Sequence, residues 1–303
     1  MAITSAVPTL KRLAGKRVVA SISGGKDSAA MSLYLSELGI EHDRVFMDTG
    51  WEHPLTYEYI AGPLAAAIGS ILTIKPPLGM ADLCRKKGMF PSRMRRFCTS
   101  ELKVKPIINH ITRLQDAGYE VINAVGVRKA ESAVRSKLTE WEWQPDYDSE
   151  VWRPLIEWTE ADVISIHTRH SLKPNPLYLL GASRVGCWPC IFARKSELRF
   201  IADVDPARID LIRALEADVQ SGCERRHTAR GTTIESEGHL RPSFFQAMGA
   251  LRSEGQNGRM VPIDEVVRWS RTAHGGRQFE LFAPVTEEGC VRWGLCDVAK
   301  EAQ

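Results

Sequence analysis

The chain has 303 residues, of which 44% are hydrophobic, and its formal net charge is +3. This length allows one large α/β domain with an appendage or two smaller domains, and the charge neither requires nor excludes a nucleic-acid partner. No run approaches about 18 consecutive apolar residues, so we expect no membrane span. Seven cysteines and no signal-peptide pattern favour a cytoplasmic location, where paired cysteines more often bind metal or react than form disulfides.

The first part of the chain alternates short β-branched segments with longer helical patterns. Strands separated by helices predict an α/β fold, with a parallel twisted sheet and helices on both faces. Ligands of such sheets bind at the carboxyl ends of the strands. The predicted strands are 17–22, 43–47, 70–74 and 121–127, and the predicted helices are 28–38 and 55–68.

The later part of the chain has a different texture. Thr159, followed by acidic residues, predicts the start of a helix. Further helices are predicted at 207–219 and 263–272, with a polar loop at 225–238 between them. We therefore place a boundary near residue 200, between an α/β domain at 1–200 and a smaller, mostly helical region at 201–303 that is available for a substrate or a partner.

The loop between the first predicted strand and the first helix reads Ser-Gly-Gly-Lys-Asp-Ser, residues 23–28. The N–H groups of a helix N-terminus and the helix dipole favour an anion such as phosphate. Gly24 and Gly25 allow the backbone to approach such an anion closely, and Lys26 adds positive charge. The spacing is not that of the common P-loop. An ordinary strand–turn–helix with a serine cap is the alternative.

This loop resembles the pyrophosphate-binding SGGxDS loop of the PP-loop ATP pyrophosphatases. Four more segments, in the same order, narrow the resemblance to the branch with phosphoadenosine-phosphosulfate (PAPS) reductases, the ATP sulfurylase small subunit and the DNA-phosphorothioation ATPases, the last being most similar. They are MDTGWEHPLTYEYI at 47–60, RRFCTSELKVKPI at 95–107, GVRKAESAVR at 126–135 and NPLYLLGASRVGCWPC at 175–190. The resemblance implies an adenine nucleotide α-hydrolase-like fold that binds ATP and Mg²⁺.

The resemblance also implies the roles of individual residues. Lys26, Asp48 and Arg128 would act in catalysis, with Asp48 near the ribose or the metal ion. The alternatives are a turn carboxylate for Asp48 and a solvated helix start for the arginines, whose guanidinium groups otherwise suit phosphate. The residues expected to bind the nucleotide are Ser23, Gly24, Gly25, Lys26, Asp27, Ser28, Asp48, Gly126, Arg128 and Arg135.

A basic segment surrounds Cys98. Its density of positive charge suits an anionic substrate, either a sulfonucleotide or a nucleic-acid backbone, although a solvated basic surface is equally consistent. The basic residues are Arg93, Arg95, Arg96, Lys103 and Lys105.

Cys187 and Cys190 form a C-x-x-C pair, which alone is compatible with zinc, an iron–sulfur cluster or a dithiol. The resemblance implies that Cys98 joins them on a [4Fe-4S] cluster, with zinc as the alternative. Phe97 stands where the adenylylsulfate reductases have an adjacent cysteine, so either a fourth ligand is needed or three cysteines hold the cluster and leave one iron open, for example to a sulfide. Cys223 is the first candidate for it and Cys84 the second. Near the C-terminus, Cys290 or Cys296 is a candidate redox thiol.

The implied reaction is nucleotidyl transfer at the α-phosphorus of ATP, with release of pyrophosphate. A sulfur nucleophile then displaces AMP, which leads us to expect thiolation of a nucleic acid, DNA or RNA, with a cysteine desulfurase or another sulfur donor as partner. A sulfonucleotide reductase is the first alternative. The complete Gly-Gly-Lys loop and the missing E-C-G-L-H tail argue against it. The second alternative is a non-catalytic nucleotide-binding subunit of a modification or defence complex.

Overall fold

The computed structural model describes residues 7–234, 236, 241–246, 260–273 and 293. The chain divides into two compact units. Unit 1 consists of Met1–Pro76, Glu101–Gly186 and Glu287–Gln303, and unit 2 consists of Pro77–Ser100 and Cys187–Thr286. The later part of the second unit thus begins at Cys187, before the boundary expected near residue 200. The second unit also includes an earlier segment, Pro77–Ser100.

Unit 1 contains a six-stranded sheet of order β3-β2-β1-β4-β6-β5. All neighbouring strands are parallel except β5, which is the antiparallel partner of β6 at one edge. The strands are β1 (Arg17–Ile22), β2 (His42–Met47), β3 (Leu72–Ile74), β4 (Val121–Val125), β5 (Trp141–Gln144) and β6 (Ser149–Trp152). The parallel α/β class is confirmed, and each of the four predicted strands is present.

Twelve α-helices lie in the described residues. They are α1 (Val7–Leu13), α2 (Lys26–Glu37), α3 (Pro54–Tyr59), α4 (Ala65–Ile68), α5 (Met80–Lys87), α6 (Phe97–Thr99), α7 (Lys105–Asp116), α8 (Glu160–Arg169), α9 (Pro176–Leu179), α10 (Lys195–Val204), α11 (Pro206–Ala229) and α12 (Ile263–Ser270). π-Helical turns at Ile60–Leu64 and Ser100–Val104 precede α4 and α7. None of these helices is long and apolar enough to cross a membrane.

Successive side chains of β1 point to opposite faces of the sheet, and apolar residues are buried on both faces, as expected for a central parallel strand. Val18, Ala20 and Ile22 belong to the larger core cluster, which also contains apolar residues of α2 and α8. Val19 faces the opposite side, in a cluster with Ile107 and Ile111 of α7. Helices therefore cover both faces of the sheet, as the sequence predicts.

The described part of unit 2 is mostly helical, with one short hairpin, β7 (Phe245–Gln246) and β8 (Met260–Val261). On α5, the guanidinium of Arg85 donates to the Asp218 carboxylate of α11 at 3.0 and 3.1 Å, which ties these two helices together. The buried carboxylate of Glu216, also on α11, accepts N–H bonds from the described segments that follow the helix. The helical character is confirmed, but the polar loop predicted to begin at residue 225 is wrong at its start, because α11 continues to Ala229.

Candidate active site

The Ser23–Ser28 loop closes on itself through Ser28. The Ser28 hydroxyl accepts the N–H of Ser23 at 3.1 Å and donates to the carbonyl of Gly25 at 3.0 Å. Gly25 is the N-cap of α2 and has no side chain to cap this helix start, and the N–H of Lys26 donates to the Tyr178 hydroxyl at 3.3 Å. The first N–H groups of a helix lack intrahelical acceptors. The loop therefore presents α2's N-terminus at the carboxyl end of β1, the arrangement that suits an anion.

Two glycines permit close packing around this loop. Gly24 has φ of +71°, and a Cβ there would lie 2.8 Å from the Thr56 side chain. Gly126, just after β4, would place a Cβ 2.8 Å from the backbone oxygen of Asp27 and 3.1 Å from the Cα of Ser28. The requirement at Gly126 is steric, because backbone atoms of α2 cannot move aside easily. The structure thus brings Gly126 to the predicted loop.

Lys26 extends from the start of α2 into the interior and is 8% exposed. Its ammonium lies 3.4 Å from the Asp27 carboxylate, 3.5 Å from that of Glu160 at the start of α8, and 5.3 Å from the ring centroid of Tyr178. The lysine charge is therefore placed beside the loop and held by two carboxylates. Its neutralisation of a bound phosphate stays a prediction.

Arg128 meets the loop from the other side. This arginine is 5% exposed, and its Nε donates to Asp27 at 2.5 Å. The Arg128 N–H donates to Glu131 at 2.8 Å, and Glu131 also pairs with the half-exposed guanidinium of Arg135. The chain Asp27–Arg128–Glu131–Arg135 thus links the loop to the segment after β4, in which only Arg135 reaches solvent with its charge.

Asp48 follows β2 at the same edge of the sheet. Its Oδ1 accepts the N–H of Gly50 at 2.9 Å and the hydroxyl of Tyr57 at 2.7 Å, and its Oδ2 lies 3.4 Å from the ammonium of Lys75. Burial and the bond to Asp48 raise the pKa of Tyr57. The bond to Gly50 is that of a turn carboxylate, the alternative role considered from the sequence. A contact of Asp48 with ribose or metal stays a prediction.

Glu52 is a site residue that the sequence did not identify. Its buried carboxylate accepts the N–H of Thr49, the Thr49 hydroxyl and the N–H of Trp51 at 2.7–3.2 Å, and the Tyr57 hydroxyl lies 2.9 Å away. This network holds the backbone of the Asp-Thr-Gly-Trp turn in place. The close spacing of Asp48 and Glu52 in the segment MDTGWE is the sequence feature that could have identified Glu52.

Three further residues that sequence reasoning missed support the loop. Asn175 donates to the Gly24 carbonyl and to Thr56, both at 3.2 Å. The Tyr178 hydroxyl lies 3.3 Å from the Lys26 backbone nitrogen, and the ring of His167 contacts the Lys26 carbonyl at 2.9 Å through Nε2. Burial lowers the pKa of His167, and the other ring nitrogen, Nδ1, lies 3.3 Å from the carbonyl oxygen of Leu172.

The five described cysteines all belong to unit 2: Cys84, Cys98, Cys187, Cys190 and Cys223. Burial, together with the nearby Cys98, raises the pKa of Cys84 to about 12. Trp188, inside the C-x-x-C turn, donates to Asp205 at 3.0 Å. Cys290 and Cys296 lie outside the described residues.

The cysteine set fits an iron–sulfur cluster in chemical kind, because thiolates are the ligands that such clusters take. Within the part of the chain that the structure describes, no three His, Cys, Asp or Glu side chains are grouped as a metal site. The assignment of Cys98, Cys187, Cys190 and Cys223 as ligands therefore stays a prediction, as does zinc.

The basic residues around Cys98 are divided between the two units. Arg93, Arg95 and Arg96 are exposed in unit 2, and the Arg96 guanidinium lies 4.9 Å from the ring centroid of Phe192. Lys105, in unit 1, pairs with Glu101 at 3.0 Å. The exposed arginines retain their charge for an anionic partner, whereas Lys105 is already paired.

Comparison with known proteins adds family information to this geometry. A family model described as the phosphoadenosine phosphosulfate reductase domain matches residues 17–193. A 37.8 kDa protein from the gpa 5′ region of Escherichia phage 186 is 32% identical over 92% of this chain and 96% of its own length. An adenosine 5′-phosphosulfate reductase of Burkholderia cepacia is 33% identical, but the match spans only 32% of this chain and 36% of that enzyme.

Among solved structures, a phosphate complex of phosphoadenylyl-sulfate reductase from Candida auris has 19% identity and a TM-score of 0.48, and the match covers 62% of this chain and 89% of that one.

Proposed function

The chain belongs to the phosphoadenosine phosphosulfate reductase domain family, and from this premise we propose that it cleaves ATP between the α- and β-phosphorus and uses the adenylate in sulfur transfer to a nucleic acid. The observation that carries the proposal is the Ser23–Ser28 loop, a glycine-rich helix start at the carboxyl end of β1 whose N-cap, Gly25, brings no capping side chain. A pyrophosphate group matches its backbone donors. A substrate without β- and γ-phosphates would leave this cradle without its ligand.

The proposed reaction has two balanced steps. In the first, an oxygen of the acceptor attacks the α-phosphorus, the α–β bridging bond breaks, and pyrophosphate leaves with the bonding electron pair. In the second, hydrosulfide displaces AMP, which departs with the acceptor oxygen. No net oxidation occurs when hydrosulfide is the sulfur donor. A persulfide donor, such as one supplied by a cysteine desulfurase, requires a two-electron thiol reductant in addition.

The residues of unit 1 have separate roles in this proposal. The loop N–H groups bind the pyrophosphate and stabilise its developing charge. Lys26 and Arg128, both buried and both paired with Asp27, orient the loop and add positive charge at its base. Asp48, through its less engaged Oδ2, is the candidate for the ribose or for Mg²⁺, which commonly binds one or two carboxylates together with substrate phosphates.

A [4Fe-4S] cluster is also part of the proposal, although no reaction step is assigned to it. Cys98, Cys187 and Cys190 would hold it, with Cys223 or Cys84 as the fourth ligand. Such a cluster would supply electron transfer or a site for sulfide when bound. Metal analysis of anaerobically purified protein tests this part. Iron and inorganic sulfide in equal amounts, lost in Cys187→Ser, support it, and zinc alone contradicts it.

A sulfonucleotide reductase is the second candidate, and the similarity to the Burkholderia cepacia adenosine 5′-phosphosulfate reductase favours it. The two candidates differ in the substrate that is consumed. We would incubate the protein with ATP and Mg²⁺, with hydrosulfide, and with tRNA or double-stranded DNA, and in parallel with adenosine 5′-phosphosulfate and a dithiol. The first proposal predicts AMP and pyrophosphate from ATP, and the second predicts sulfite and AMP from the sulfonucleotide.

Matched variants keep this experiment specific to the loop. Gly25 has φ outside the left-handed region, and a Cβ there would make only ordinary contacts at 3.4 Å. Gly25→Ala should therefore fold normally, yet its methyl group alters the surface on which the anion rests, so pyrophosphate release should fall. Unchanged turnover in Gly25→Ala would contradict the assignment of this loop. Binding of ATP without any turnover in the wild-type protein would favour a nucleotide-binding subunit.

A further inference from the structure

A second concave site lies in unit 1, away from the nucleotide loop. A groove of about 810 Å³ opens between the end of α7 and the beginnings of β4 and β6. The Ser23–Ser28 loop follows the carboxyl end of β1, whereas this groove lies at the amino ends of parallel strands. The groove and the nucleotide loop therefore lie at opposite ends of the parallel strands. The volume of the groove is in the range of small-molecule sites.

The groove is strongly acidic. Asp116, Asp146 and Asp148 line it, and none of these three carboxylates has an ion-pair partner among the described residues. Two other lining carboxylates, Glu120 and Glu150, are paired with Lys16 at 3.5 and 3.9 Å, and Glu150 also pairs with Arg12. The three unpaired aspartates thus leave a net negative potential in the groove.

Aromatic rings complete its walls. Trp143 on the edge strand is 56% exposed and Tyr119 is 47% exposed. One ring that lines the groove already binds a guanidinium group of the same chain. The Arg17 Cζ lies 4.9 Å from the Tyr119 centroid. The exposed ring of Trp143 offers the same cation–π interaction to an external ligand.

An unsatisfied hydroxyl is an independent observation that points to a polar ligand. Ser149 lines the groove, is 3% exposed, and its Oγ has no hydrogen-bond partner within the described residues. Trp152 packs in the core cluster on the α2 side, so strand alternation directs Ser149 to the α7 side, where the groove lies. A buried hydroxyl without a partner is unfavourable, and a polar group of a ligand bound in the groove would satisfy it.

The spacing of the charges selects the ligand class. The three aspartates are not grouped as a metal site in the described part of the chain, so a single small cation cannot bridge them. We propose that this groove binds an elongated organic cation with two or more ammonium or guanidinium groups. A free polyamine and a basic segment of a polypeptide share this chemistry.

Calorimetric titration of the full chain with spermidine, and separately with the peptide acetyl-Arg-Lys-Arg-amide, tests the proposal. We expect saturable 1:1 binding that weakens with salt. The tighter of the two ligands identifies the source of the cation. The variant with Asp116→Asn, Asp146→Asn and Asp148→Asn should bind about tenfold more weakly, because each exposed ion pair contributes roughly two- to threefold and the variant removes three. Asparagine tolerates the positive φ of Asp148.

Glu41→Gln is the matched control, because it removes an exposed carboxylate just before β2 that does not line the groove. It should bind both ligands as the wild-type protein does. Trp143→Leu should weaken binding without a change in the melting temperature. Absence of saturable binding, equal affinity in the triple variant, or displacement of spermidine by equimolar Mg²⁺ would overturn the proposal. Because the groove and the nucleotide loop lie at opposite ends of the parallel strands, a failure of cation binding would leave the test of ATP turnover unaffected.

Discussion

Gly126 is the position at which a single methyl group most directly tests the geometry of the loop. The Cβ of Gly126→Ala would lie 2.8 Å from the Asp27 carbonyl oxygen and 3.1 Å from the Asp27 carbonyl carbon and the Ser28 Cα. These are backbone atoms of the first turn of α2, so they must move by roughly half an ångström to reach ordinary contact. Overpacking of this kind destabilises a protein by about 1–3 kcal/mol.

The same displacement moves the donors that bind the pyrophosphate. Since a misplacement of about 1 Å can lower a rate about 100-fold, we expect a loss of roughly tenfold in kcat/KM for ATP. Pyrophosphate release and urea-induced unfolding would be measured on the same preparation. Gly222→Ala is the control, because a Cβ there meets only an arginine side-chain nitrogen at 3.7 Å. If Gly126→Ala matches Gly222→Ala in both turnover and stability, the packing of β4 against the loop has no functional consequence and the reasoning is refuted.

Three other predictions concern the support of the site. Arg169 lowers the pKa of Glu37 from 4.5 to about 2, so Glu37→Gln should reduce the free energy of unfolding at pH 7 by about 1 kcal/mol, after allowance for the exposure of the pair. Because the pKa is lower in the folded state, the stability difference between wild type and variant must shrink between pH 4.5 and 2. A difference that stays constant over this range refutes the prediction. Asn175→Ala leaves a buried carbonyl without its donor and should lower stability by about 1–3 kcal/mol in urea unfolding, whereas the exposed Asn109→Ala should be neutral. Tyr178→Phe keeps the ring and loses the hydroxyl that accepts the Lys26 N–H, so the loop is held less firmly and KM for ATP should rise about two- to tenfold; an unchanged KM argues against this contact.

The sequence predicted the first four strands because each is a short β-branched run bounded by turn residues. It did not predict β5 and β6, because each strand has only four residues, Trp-Glu-Trp-Gln and Ser-Glu-Val-Trp, which is too short for a convincing pattern. Their pairing is stabilised by tertiary contacts, including the stacked rings of Trp141 and Trp152 at 5.3 Å. The two rings belong to different strands, so the residue pattern within one strand does not reveal the contact between them.

In the site, too, the sequence identified some of the residues and missed others. The loop was identified because its two glycines lie next to hydroxyl residues and a lysine, and Gly126 because it follows a predicted strand within a segment that resembles the family. Asn175, Tyr178 and His167 reach the loop from positions more than 100 residues later in the chain, and no spacing rule connects them to it. The environment of Lys26 was also beyond the sequence, because its pairing with Glu160 depends on how α8 packs against α2.

The central claim is that this protein breaks the α–β phosphate bond of ATP. Phosphorus NMR of an anaerobic mixture of protein, ATP, Mg²⁺, hydrosulfide and tRNA or DNA tests it most directly, because each phosphate product has its own resonance. We predict AMP and pyrophosphate in equal amounts, with the signals reduced about tenfold in Gly126→Ala. Formation of ADP and phosphate, or intact ATP alongside conversion of adenosine 5′-phosphosulfate to AMP, would contradict the claim.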